Sequence, residues 1–156
     1  MPKLDPKAAS AAVAAMLAIA TPLVATWEGY SAKPYLDVIG KKTVCFGETR
    51  VEMREYTKAE CTAMLNDGVG EFAWGVAKRN PELVGHPNQW AAATSLAYNA
   101  GLANYNRSTV AKRFSAGNWR GACDALLAWN RAGGRVVKGL VRRREAERTV
   151  CLKDLP

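Results

Sequence analysis

Glu28, Asp37 and Thr43 are the residues whose types and spacing could do chemistry. Trp27-Glu28 closes an apolar segment with a carboxylate, Asp37 follows nine positions on, just before Gly40, and Thr43 opens an apolar stretch six further. A carboxyl beside Trp27 at the end of a hydrophobic run is expected to be partly desolvated, which favours the protonated form that a general acid needs. Asp37 lies in a polar Asp-Val-Ile-Gly-Lys-Lys context and is expected to stay ionised. Two carboxyls whose surroundings differ in this way suit glycosidic hydrolysis, one protonating the leaving oxygen and the other activating water. If Asp37 and Thr43 flank a turn at Gly40, the hydroxyl faces the carboxylate and holds that water. Taken singly, the three would be a surface Glu, a turn Asp and a strand Thr.

The spacing Glu-x8-Asp-x5-Thr resembles the catalytic pattern of the phage-type lysozymes, the muramidases that phages use as endolysins. Later blocks resemble that family in order: Tyr56-Thr57-Lys58-Ala59-Glu60-Cys61, Tyr98-Asn99-Ala100-Gly101, Gly121-Ala122-Cys123-Asp124, and Gly139 to Glu147 followed by Val150-Cys151-Leu152. The resemblance covers Trp27 to Leu152 and is nearest to the endolysins of lambdoid phages. It implies an α+β, mainly helical, lysozyme-like two-lobed fold: a small antiparallel sheet in the N-terminal lobe, a long connecting helix and a helical C-terminal lobe. It also implies hydrolysis of the β-1,4 bond between N-acetylmuramic acid and N-acetylglucosamine in peptidoglycan, with Glu28 as acid, Asp37 orienting water and Thr43 as its second ligand. Tyr98 and Asn99 would line the sugar groove or, equally, pack and cap a helix. No metal or cofactor is implied. A water shared by Asp37 and Thr43 would invert the anomeric centre, whereas carboxyls only about 5 Å apart would favour retention. Two positions depart from the family pattern: Cys45 stands where glycine is frequent, and Glu48 where histidine is frequent, so Glu48 is given no catalytic role.

The elements that must position these residues follow from composition and periodicity. The chain has 156 residues, enough for one domain or two lobes sharing a helix. Its formal net charge of +8 suits a polyanionic partner. A basic block interleaved with aromatics and a nucleotide-binding glycine loop are both missing, which argues against nucleic acid. One histidine and four cysteines without a C-x-x-C pair argue against zinc. Cysteines 45, 61, 123 and 151 fit disulfides in an oxidising compartment, the periplasm of a Gram-negative host. Three connectivities are open; Cys45–Cys61 and Cys123–Cys151 are favoured because each brackets a local unit. A monomer is expected.

Residues 8–26 carry no charge and could just span a bilayer, although alanine dominates. Thr21-Pro22 also reads as a helix start, giving a short helix Pro22 to Trp27 that delivers Glu28. The two readings compete for the same residues. The division expected is therefore 1–26 as a releasable anchor and 27–156 as the catalytic domain, with a first, inactive form tethered to the host inner membrane, as in the signal-arrest-release endolysins the chain resembles. An N-terminal helix that never meets a membrane is the competing reading.

Tyr35 to about Met53 is expected to form the sheet, turning at Gly40 and Gly47. Thr57 and Glu60 form a capping box that opens a helix to about Arg79, with Cys61, Leu65, Val69, Phe72 and Val76 on one face and Trp74 assigned to the core. Helices are expected over Trp90–Asn99, with Trp90, Ala93 and Ala97 on one face, then Ser108–Ala116, Trp119–Asn130 and Val137–Leu152. Of Arg142, Arg143 and Arg144, Arg143 is expected to turn inward toward Glu28 or Glu147; a solvated basic face is the alternative. Two other function classes remain: a basic membrane-perturbing lysis protein without catalysis, and a non-catalytic peptidoglycan-binding module.

Overall fold

A computed structural model describes residues 6–156. The polar start as far as Asp5 lies outside the described residues. The fold is mainly helical with two small antiparallel sheets, as the α+β expectation requires.

The first helix, α1, runs unbroken over Pro6–Trp27, with Pro22 inside it. This corrects the short helix expected from Thr21-Pro22. Proline removes one helical N–H bond, but Pro22 is exposed, where water can reach the freed carbonyl, and the buried face Met16, Ala20 and Val24 runs past it. Thr21 does not cap; its hydroxyl donates to Asn66 Oδ1 at 2.8 Å, tying α1 to the next long helix.

Strands β1 (Ser31–Leu36) and β2 (Lys42–Cys45) form the first hairpin, which starts before the expected Tyr35 and ends short of Met53. Beyond it an isolated bridge joins Val44 to Glu48. Cys45 has φ of 61°, in the left-handed region where glycine is favoured. That explains why a glycine suits this position, and the Cys45–Cys61 disulfide ties the strained residue to the next helix.

Helix α2 (Lys58–Arg79) begins at the capping box: Thr57 Oγ1 accepts from Glu60 N, and Glu60 Oε2 accepts from Thr57 N, both at 3.1 Å. Its apolar face is buried as expected at Cys61, Leu65, Val69 and Val76, and Phe72 is partly buried. Trp74 is 62% exposed, which corrects its assignment to the core. Its neighbour Ala73 takes the inward position and accepts the indole N–H of Trp90 at 2.9 Å.

Helix α3 (Pro87–Ala100) is buried at every residue from Gln89 to Ala97, packing on α1, α2 and the last helix. The single apolar face expected from Trp90, Ala93 and Ala97 is thus an all-round core. The run Ala91-Ala92-Ala93-Thr94-Ser95 is narrow enough to let three helices approach it. Helices α4 (Leu102–Arg107), α5 (Thr109–Ser115) and α6 (Trp119–Ala125) follow, and a 3-10 turn at Leu126–Ala128 replaces the second half of the helix expected to reach Asn130. Gly133 and Gly134, at φ of 58° and 76°, make the two-residue turn of a hairpin between β3 (Arg131–Ala132) and β4 (Arg135–Val136), where only a break was expected. Helix α7 (Lys138–Cys151) closes the chain, and Cys123–Cys151 joins it to α6. The two disulfides are the favoured pairing, and separations of 16 and 28 residues predict roughly 3 kcal/mol of stabilisation each.

Candidate active site

Glu28 follows α1 directly, its N–H bonded to Val24 O at 3.1 Å, so the helix sets where the carboxyl points. Arg143, on α7 and 115 residues away, donates from Nη1 to Glu28 Oε1 at 2.9 Å. The Glu28 side chain remains 26% exposed, so a ligand can still reach it. Arg143 is itself buried, with Nε on Glu147 Oε1 at 3.2 Å and Nη2 on the Ser95 carbonyl at 3.2 Å. Of the two partners anticipated for Arg143, the structure supplies both.

Behind this pair lies a buried charge cluster. Glu147 accepts from the Ser95 hydroxyl at 2.6 Å and stands between Arg143 and Arg144, the latter at 3.0 Å in an off-axis ion pair rather than a hydrogen bond. Burial pushes the Glu147 carboxyl up from its ordinary value, and Arg144, Ser95 and Arg143 pull it back. Burial likewise pulls Arg144 down, against the opposing charge of Glu147. Ser95 and Arg144 were not singled out from the sequence. The available signal was the i,i+3 and i,i+4 spacing of Arg144 and Arg143 to Glu147.

Asp37 is held by its own turn. Its Oδ1 accepts from the backbone N–H of Ile39 at 2.9 Å and of Lys41 at 2.8 Å, while its carbonyl accepts from Gly40 N at 2.9 Å. Oδ2 has no partner among the described residues, which leaves one carboxylate oxygen for an external donor. The strand register pairs Tyr35 with Thr43, and Asp37 lies opposite Lys41. Thr43 therefore sits diagonal to Asp37 rather than directly across from it, at a spacing of roughly 7–8 Å between diagonal backbone positions. Thr43 is buried and donates its hydroxyl to Lys41 O at 3.0 Å, leaving the oxygen's lone pairs to accept.

Tyr98 lines a cleft of about 440 Å³ between α2 and the loop after β2, together with Glu48, Arg50, Asp67, Glu71 and Phe72. Its phenol is pushed up to about 12, mainly by burial and then by the charges of Glu28 and Glu48, so it stands within electrostatic reach of both carboxyls. Asn99 is elsewhere: its Oδ1 accepts from Arg144 Nη2 at 2.7 Å, a packing contact. Glu48, discounted in the sequence, is in the cleft, and its carboxyl is raised by burial and by Glu71 against the pull of Arg50. A larger depression of about 670 Å³, lined by Arg107, Arg113 and Trp129, holds none of the candidate residues. Among the described residues no group of three or more His, Cys, Asp or Glu side chains is placed to hold a metal.

The family model described as phage lysozyme matches residues 25–147, a span that includes Glu28, Asp37, Thr43 and Arg143. The chain belongs to the phage lysozyme family. It is 42% identical over 130 residues to the SAR-endolysin of Enterobacteria phage P21, covering 80% of this chain and 77% of the relative. In structure it is similar to the endolysin of Escherichia coli O157:H7 phage FAHEc1, with a TM-score of 0.75, 26% identity, and coverage of 86% and 90% of the two chains. It shares the fold of the active form of P1 phage endolysin Lyz, with a TM-score of 0.74, 23% identity, and coverage of 92% and 95%. As a phage lysozyme, the protein is a glycosidase-type hydrolase acting on peptidoglycan.

Proposed function

We propose that this phage lysozyme is an endolysin that cuts the β-1,4 bond between N-acetylmuramic acid and N-acetylglucosamine by an inverting route, leading to host cell lysis. Glu28 protonates the leaving oxygen, Asp37 accepts a proton from the attacking water through its open Oδ2, and Thr43 accepts a second hydrogen bond from that water. Arg143 is a positioning residue that fixes one edge of the Glu28 carboxyl and leaves the other toward the sugar. The observation that carries this reading is the partly exposed Glu28 held by a buried arginine, with the turn-held Asp37 keeping one oxygen open. Tyr98, which lines the cleft, is a substrate contact. The protein works as a monomer on the wall and needs no cofactor.

Stereochemistry tests the route. With a soluble glycan fragment in an NMR tube, the first anomer to appear is expected to be α. A β product would replace inversion with a covalent intermediate.

Residues 1–26 act as a releasable inner-membrane anchor, and the active enzyme works in the host periplasm. In support, the stretch Ala9–Trp27 is 19 residues long and apolar enough to cross a bilayer, yet only 22% of it is buried in the folded protein. Fractionation of expressing cells is expected to find the protein first in the membrane pellet and later in the periplasm. Full-length protein wholly in the cytoplasm would end the anchor reading.

A further inference from the structure

The turn of the β1–β2 hairpin is built without using its two central side chains. Gly40 N bonds Asp37 O at 2.9 Å, Gly40 takes φ of 80°, and Asp37 Oδ1 holds the N–H groups of Ile39 and Lys41. Central turn positions favour Gly, Asn, Asp, Pro or Ser, yet here they are Val38, 103% exposed, and Ile39, 82% exposed, with Leu36 beside them at 65%. Folding does not need these aliphatic groups in water. The hairpin around them is basic: Lys41 and Lys42 follow the turn directly and Lys33 lies further down β1, all three are exposed and form no ion pair among the described residues, and the only acid from residue 31 to residue 45 is Asp37.

An exposed aliphatic apex on a hairpin that carries unpaired lysines matches one surface chemistry, an anionic bilayer. The apex enters the acyl boundary, and the lysine stems reach back to the phosphates. A glycan surface would give the two aliphatic side chains little to bury against. We propose that the hairpin tip is a lipid-contacting element that seats Val38 and Ile39 in an anionic membrane surface. Only Glu28, Gly29 and Tyr30 separate the end of α1 from the start of β1, so a bilayer holding α1 would have this hairpin at its surface. On that part, which rests on the anchor reading above, the contact turns Asp37 toward lipid and away from glycan, keeping tethered enzyme idle.

The test uses the full chain with a single new thiol, since the four native cysteines are in disulfides. Ile39→Cys and, as a control on the C-terminal lobe, Leu127→Cys are each labelled with an environment-sensitive fluorophore. They are then mixed with vesicles of brominated phosphatidylglycerol and phosphatidylethanolamine. Loss of most of the fluorescence at position 39 but not at 127, relieved by Val38→Asp and by replacing phosphatidylglycerol with phosphatidylcholine, supports the proposal. Equal quenching at the two positions in vesicle-bound protein, or a response at 39 to isolated sacculi alone, overturns it. Quenching at 39 in protein that leaves neutral vesicles entirely unbound would keep the lipid-contacting tip and remove the anchor.

Discussion

Glu28→Gln is expected to lower hydrolysis of isolated peptidoglycan by roughly three orders of magnitude, about 4 kcal/mol of transition-state stabilisation. The substitution removes the proton that the leaving oxygen needs but keeps an oxygen that can accept from Arg143 Nη1, now at 2.9 Å from Glu28 Oε1. The fold should therefore survive, with unchanged circular dichroism and thermal midpoint. Counting new reducing ends by mass gives the measurement. A variant within tenfold of the parent would remove Glu28 from the chemistry and favour lysis by membrane perturbation.

The second large effect concerns stability. Glu147→Leu is expected to destabilise the protein by roughly 3–5 kcal/mol, because removing one member of a buried ion cluster leaves the opposite charge uncompensated. Arg144 is buried, and without Glu147 it keeps, among the described residues, only Asn99 Oδ1 as a partner. Arg143 would retain Glu28 and Ser95 but lose the bond that orients its Nε. At roughly 2–4 °C per kcal/mol for a chain of this size, the midpoint in calorimetry should fall by roughly 6–20 °C. Adding Arg144→Met to Glu147→Leu should recover much of the loss, since an apolar pair tolerates the site that an orphaned guanidinium does not. A single variant as stable as the parent would mean that water reaches the cluster.

The features legible in the sequence were those whose cause is local. Thr57 and Glu60 stand three apart and face each other whenever a helix begins there. Gly40 and Gly47 mark turns because few other residues adopt positive φ easily. The disulfide pairs bracket short units, so proximity in the chain already favoured them. Elements whose outcome depends on neighbours are not legible in this way. Pro22 looked like a helix start because a proline inside a helix removes a hydrogen bond, but the buried face of α1 carries the helix through it. Trp74 looked like core because large aromatics usually are, whereas the phase of α2 turns it outward.

By itself the sequence determined the lysozyme family, the mainly helical α+β fold and the candidate set Glu28, Asp37 and Thr43, because motif spacing is a property of the chain alone. Only the tertiary structure decided that two of the three consecutive arginines, Arg144 as well as the expected Arg143, are buried, that Arg143 spans 115 residues to Glu28, and that Glu48 and Tyr98 share a cleft. Those facts depend on how α7, α3 and α1 rotate against one another. Rotation is settled by packing the narrow run Ala91 to Ser95 on all sides, and no local pattern encodes it.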